Sequence, residues 1–252
     1  MKKWITLLSI FISFLASAQN NALFENATAS YNKGDYEAAI QNYLEILENG
    51  KHSANLYFNL GNTYYKLNQI GPSIYYYEKA LLLEPNDTEI KHNLAFAQNM
   101  TIDAIEPLPQ TSISKLVASF KNILSFDQWS YTAIFCMFLF VAFYLAFYFF
   151  RFTNQKRISF IISLFFLSFS IISVLMAVVQ YQDFKETHPA IVFAEESRIK
   201  AEPNNRSEEV FILHEGSKVA VEDQLENWVK IRLVDGKTGW MPAIDLKMLK
   251  DF

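Results

Sequence analysis

The chain has 252 residues, with 22 basic against 26 acidic side chains, a formal charge of −4 and a single cysteine, Cys136. A mildly acidic balance makes the chain a poor candidate for nucleic-acid binding, and one cysteine excludes any intramolecular disulfide framework. Hydrophobic residues make up 51% of the chain, and they are concentrated in blocks that set the domain plan.

The first block stands at the start. Lys2 and Lys3 precede the apolar run Trp4 to Leu15, and Ala16-Ser17-Ala18 follows. This is the pattern of a secretory signal with an A-x-A cleavage site, so residues 1–18 are expected to be a signal peptide cut after Ala18. The run falls short of the roughly 20 residues of a span, which weighs against an uncleaved anchor. Removing it leaves 20 basic against 26 acidic residues, a charge of −6. An exported chain without disulfides points to a bacterial periplasm rather than an animal cell surface.

Residues 20 to about 100 repeat at a period of 34. That offset pairs Ala39 with Ser73, Ile40 with Ile74, Tyr43 with Tyr77, and Gly34-Asp35-Tyr36 with Asn68-Gln69-Ile70. Such a period reads as a helix-turn-helix array. The second copy, Ala54 to Asp87, resembles the tetratricopeptide repeat family, whose signature positions hold Leu60-Gly61, Tyr64, Ser73, Tyr77, Ala80 and Pro85. The first copy, Asn20 to Ser53, keeps Ala27, Ala39 and Tyr43 but has Lys51 in place of the proline. Small residues at these positions let paired helices approach, and the tyrosines fill the remaining space. From Thr88 to Asn99, Ile90, Leu94 and Ala97 share one helical face, which fits a capping helix. Residues 19–103 are thus expected to form a repeat domain with its cap. Because about three repeats are usually needed for stability, this domain is expected to lean on another chain or on the membrane-proximal segment.

The tetratricopeptide resemblance implies a protein- or peptide-binding groove along the inner helices. It would point Asn55, Phe58, Asn59, Asn62, Tyr65 and Lys66 into that groove, with Asn93 and Phe96 extending it. Asparagine at these positions is also the family's common choice without a ligand, and both readings stay open. The basic clamp that some members use for C-terminal carboxylates is missing, since Phe24 and Thr28 occupy its sites.

Residues 104–128 form a linker with Pro107 and Pro109, followed by Ile113, Leu116, Val117, Phe120 and Leu124 at helical spacing. This predicts a short amphipathic helix, either lying among lipid headgroups or packed on the repeats. Two uncharged apolar stretches then flank a basic connection. Each of residues 129–150 and 158–182 is long enough to cross a hydrocarbon core. Residues 151–157 carry Arg151, Lys156 and Arg157 with no acid, which predicts a cytoplasmic loop. The expected topology is a two-pass inner-membrane protein with both soluble domains in the periplasm. The spans contain no Asp, Glu, Lys, Arg or His, which argues against a transporter or channel. Serine recurs in the second span, as helix glue or as serines satisfied by their own backbone.

From Pro189 the pattern changes to short alternating runs, expected as six strands of a small antiparallel barrel within residues 183–252. Val229, Ile231 and Leu233 alternate with Lys230 and Arg232, and Asp235-Gly236 supplies a tight hairpin. Gly216, Trp228, Asp235-Gly236 and Gly239-Trp240 with Pro242 resemble the bacterial SH3-like family. That resemblance implies binding of peptides or cell-wall polymers such as peptidoglycan, with Trp228 and Trp240 as the contact candidates. The alternative is that both tryptophans are core.

His52, His92, His188 and His214 lie apart without metal-ligand spacing, and no phosphate loop, nucleophile elbow or paired-cysteine motif is present. No catalytic residue, metal or cofactor is expected. The fold class is multidomain: all-α repeats, two transmembrane helices and a small all-β SH3-like domain. The module order, with Asp127-Gln128-Trp129 at the membrane entry, resembles the BatE-type membrane proteins of the aerotolerance operon. The resemblance implies an envelope assembly that includes von Willebrand A-domain membrane proteins and supports growth under oxidative or other stress. A cell-wall-binding sensor or anchor is the alternative.

Overall fold

The structure is a computed structural model that describes residues 20–109 and 111–250; the expected signal peptide lies outside them. The two arms, up to Leu108 and from His188, fold into one compact unit, and Pro109–Thr187 forms another.

The first unit opens with α1 (20–33), α2 (Tyr36–Glu48), α3 (Ala54–Lys66), α4 (Ile70–Leu83) and α5 (Thr88–Gln98). The 34-residue period is written into the backbone. Gly34 and Asn68 occupy the equivalent turns and both take left-handed φ, 83° and 58°, which glycine adopts freely and asparagine better than most. Ser53 and Asp87 start α3 and α5 by accepting from Leu56 N at 3.2 Å and Ile90 N at 2.9 Å. The packing repeats as well. A β-carbon on Gly61 would sit 2.6 Å from the Tyr77 ring, and in the first copy Ala27 shares a core with Tyr43. Ser73 Oγ donates to the Gly61 carbonyl at 2.8 Å, fixing α4 against α3. The cap α5 buries Ile90, Leu94 and Ala97, as their spacing predicts.

The second arm is an antiparallel sheet: β1 (Pro189–Val192), β2 (Glu196–Lys200), β3 (Glu209–His214), β4 (Lys218–Leu225), β5 (Trp228–Arg232), β6 (Thr238–Pro242) and β7 (Leu246–Met248), in the order β3-β2-β6-β5-β4-β1-β7. The seventh strand was not expected, since three residues are too few to show alternation. Val229, Ile231 and Met241 face the buried side with Ile199, Leu213 and Val219. The sheet curls enough for Ser197 Oγ on β2 to donate to Asp245 Oδ2, just before β7, at 2.6 Å.

Array and sheet share a core. Ile191 and Leu249 of the sheet belong to the same buried cluster as Tyr57, Ile74, Tyr75 and Tyr77 of the helices, with Phe193 packed against it. Tyr75 meets Phe193 edge to face at 5.4 Å. Glu78 of α4, almost fully buried, pairs with Lys218 of β4 at 2.6 Å. Beyond the cap, Asp103 accepts from His214 N at 2.7 Å, contacts His214 Nδ1 at 2.8 Å, and accepts from the Ser217 hydroxyl. The β3–β4 turn can lie this close because Gly216 has no side chain: a β-carbon there would press on Thr101 and Ile74 at 2.9 and 3.0 Å, and its φ is +85°. The minimal array therefore leans on the sheet at the other end of the chain, a support that was expected from a partner chain or the membrane-proximal segment.

The second unit holds α6 (Ser112–Lys121), α7 (Phe126–Phe149) and α8 (Thr153–Glu186). The last two are long and apolar enough to cross a membrane and pack as a hairpin. Both exceed the stretches expected for them. Helix α8 begins at Thr153, so Lys156 and Arg157 ride on its first turns rather than in a loop. Helix α7 begins early because Ser125 and Gln128 form a capping box, with bonds of 3.2 and 3.0 Å. The serines divide between the two roles foreseen for them. Ser170 Oγ crosses to the Ala133 carbonyl of α7 at 2.9 Å, whereas Ser163 and Ser173 bond back to Phe160 and Phe169 of their own helix.

Candidate functional site

Helical spacing brings Asn62, Tyr65 and Lys66 onto one face of α3, and Asn93 and Phe96 onto the facing side of α5. With Tyr31 of α1 and Tyr77 of α4 they line an open cleft of about 250 Å³. Its floor is a small hydrogen-bond relay. Asn62 Oδ1 accepts from Tyr77 Oη at 2.6 Å and from Asn93 Nδ2 at 2.9 Å. Burial pushes the Tyr77 phenol well above its ordinary range, which keeps it protonated and a donor. Tyr31 is raised for the same reason, with the Lys66 charge pulling the other way. Above this floor Phe96 is 51% exposed, its ring edge-on to His92 at 4.6 Å. The cleft thus offers amide and phenol groups below, one cation in Lys66, and an exposed aromatic rim. Such a mixture suits an extended polypeptide, whose backbone needs hydrogen-bond partners and whose side chains need apolar contact.

Five of the groove residues named from the sequence therefore line one cleft, and three stand apart from it. Phe58 turns onto the Tyr77 ring at 5.9 Å and packs against the core. Asn59 is half-buried, its carbonyl accepting from Thr63 Oγ1 at 2.6 Å, and Asn55 is exposed. Tyr31 was missed, although the period marks it: it is the counterpart of Tyr65 in the first copy. Tyr77 was read only as packing. Its ring does pack, while its hydroxyl reaches through to the cleft.

The sheet presents a second candidate. Trp228 pairs with Pro242 and Trp240 with Lys230 across β5 and β6, while Leu225 pairs with Trp228 across β4. Strand alternation puts these side chains opposite to Val229, Ile231 and Met241. Both tryptophans are half-buried and lie outside the sheet's apolar core. Leu225 is exposed beside them.

Comparison with known proteins agrees with this division. The model of the tetratricopeptide repeat matches residues 54–87, and that of the bacterial SH3 domain matches residues 196–247. The uncharacterized protein ycf37 of Guillardia theta is 32% identical over 96 residues, 36% of this chain and 54% of that protein, so the chain spans about half the length of this relative. Among solved structures, YrrB, described as a TPR protein with an unusual peptide-binding site, is 16% identical over 66% of this chain and 76% of its own, with a TM-score of 0.31. The complex of the TPR2AB domain of yeast Sti1 with pHSP90 gives 18% identity, 66% and 59% coverage and a TM-score of 0.29. The chain thus has a segment matching a tetratricopeptide repeat and a segment matching a bacterial SH3 domain, separated by two apolar helices.

Proposed function

We propose that this protein is a non-catalytic scaffold of the bacterial inner membrane, whose periplasmic unit of array and sheet recruits protein partners through the cleft between α3 and α5. The observation that carries this reading is the cleft itself: the sheet docks on α4 and leaves open the face where Asn62, Tyr65, Lys66, Asn93 and Phe96 converge. Topology supports it. Since both arms fold into one unit, they lie on the same side of any membrane that α7 and α8 cross. Arg151, Lys156 and Arg157 at the hairpin's turn favour a cytoplasmic turn and hence exported arms. The resemblance to BatE-type proteins supports reading the scaffold as part of an aerotolerance or stress-response envelope complex, with von Willebrand A-domain membrane proteins as the proposed partners of the cleft.

The exposed sheet face of Leu225, Trp228 and Trp240 favours one further reading, a wall-binding sensor or anchor that grips peptidoglycan. Photo-crosslinking in cells separates the two. A benzoyl-phenylalanine in place of Phe96 should yield protein adducts. Adducts with wall fragments from a probe in place of Trp240, with none from the Phe96 probe, would shift the function to the sheet.

A further inference from the structure

Among the described residues, none covers the apolar side of helix α6. Ile113, Leu116, Val117 and Phe120 recur at helical spacing, yet no α6 side chain is buried, and Ile113 and Leu116 are 77% and 73% exposed. Helices α2 to α5, with similar stripes, bury them in the first unit's core. The α6 stripe is also well built as a helix: Thr111 Oγ1 caps it by accepting from Ser114 N at 3.2 Å.

The end of α6 is fixed to the hairpin. Trp129 Nε1 donates to the Lys121 carbonyl at 3.1 Å, and the Trp129 and Phe120 rings lie 5.9 Å apart. Gln180 Nε2 donates to the Leu124 carbonyl at 2.9 Å, and Lys121 pairs with Asp183. These anchors mark a level. Trp129 stands where the apolar surface of α7 begins, and Gln180 and Asp183 stand where that of α8 gives way to polar residues. Below this level Ile134, Phe135 and Phe138 of α7 and Ile171 and Leu175 of α8 are exposed over an uncharged surface. The α6 stripe is thus clamped at the rim of that surface, where a bilayer would end.

We propose that α6 is a membrane-surface helix whose Ile113, Leu116, Val117 and Phe120 insert among the acyl chains at the interface of an anionic leaflet. This rests on the membrane reading of the hairpin. Continuity with the apolar surface of α7 and α8 names the occupant, and charge agrees: α6 carries no acid, and beside Lys121, which pairs with Asp183, it presents Lys115. Tryptophan at the clamp suits an interfacial position.

The test uses full-length protein with Cys136→Ser, reconstituted into vesicles of phosphatidylcholine and phosphatidylglycerol. Spin labels are attached to cysteines introduced one at a time by Leu116→Cys, Ser119→Cys and Phe138→Cys, Ser119 being exposed and off the apolar stripe. The label at 116 should be several-fold less accessible to an aqueous nickel reagent than the label at 119, and more accessible to oxygen, whatever the protein-to-lipid ratio. The label at 138, on the exposed face of α7, reports insertion separately, and water access there would sink the membrane reading itself. With 138 in lipid, equal aqueous access at 116 and 119 would overturn the proposal. So would shielding of 116 that appears only as protein crowds the vesicle, because that outcome assigns the stripe to a second copy.

Discussion

Lys218→Met tests the docking of sheet on array most severely, because it removes one partner of a pair whose other member stays buried. Glu78 has a side chain only 8% exposed and Lys218 reaches it at 2.6 Å. Breaking a fully buried pair costs about 3–5 kcal/mol, and a charged hydrogen bond contributes about 1.5–3 kcal/mol. The Lys218 side chain is 43% exposed, so solvent screening discounts both figures, and about 2 kcal/mol is the expected loss. That corresponds to roughly thirtyfold more frequent opening of the seam. Hydrogen exchange of the detergent-solubilised protein reads it directly at Val192 and Gly216, whose amides donate to Ser217 and Val192 carbonyls at 3.0 and 2.9 Å. Glu78→Gln combined with Lys218→Met should recover part of the protection, since the orphaned charge is gone. Lys237→Met, which removes an exposed partner of Asp235, should change nothing there. Unchanged exchange at Val192 and Gly216 in Lys218→Met would refute a seam held by this pair.

Three further outcomes follow from single contacts. Gly61→Ala gains about 1 kcal/mol of helix propensity but forces a methyl group onto the buried Tyr77 ring, so a net loss of about 1 kcal/mol is expected in chemical unfolding of the solubilised protein; a gain would show that α3 and α4 can separate freely. Burial alone would raise the Asp103 carboxyl, but hydrogen bonds from Ser217 and from the backbone and ring of His214 outweigh it and hold its pKa below the ordinary value. Its stabilisation is therefore complete above the usual carboxylate range, about pH 4, and is lost as pH falls through the lowered folded value. Protection of the seam amides, taken relative to their intrinsic exchange at each pH, should fall in that acid window for the wild type, and Asp103→Asn should flatten the pH response. Ser170→Ala deletes the hydrogen bond to Ala133, and the hairpin should lose about 0.6 kcal/mol, the usual worth of such a bond within a membrane; a loss of several times that in steric-trap unfolding would contradict a pairwise role.

The elements were legible where their signal is local. Gly34 and Asn68, Ala27 and Gly61, and Tyr43 and Tyr77 stand 34 residues apart in the sequence and in equivalent places in the array. Alternation at Val229, Ile231 and Leu233 likewise predicts the buried face of β5 and its continuation. The docking was not legible, because its partners are remote: Glu78 lies 140 residues from Lys218, and Asp103 lies 111 from His214. No periodicity links such pairs, and either side chain alone reads as a solvated charge. The cleft falls between these cases. Asn62, Tyr65 and Lys66 follow from the period of one helix, but whether Asn55 and Asn59 join them depends on how far α5 reaches across, which the pattern does not encode.

The most direct test of an exported recognition unit anchored by a hairpin is labelling with a membrane-impermeant maleimide in cells whose outer membrane alone is opened. Cysteines are introduced singly, with Cys136→Ser, by Glu48→Cys in the array, Asn205→Cys in the sheet arm and Phe152→Cys at the hairpin's turn, three exposed positions. The account predicts that positions 48 and 205 label alike before the inner membrane is breached, and that position 152 labels only afterwards. Labelling of one arm without the other, or of position 152 first, would contradict it.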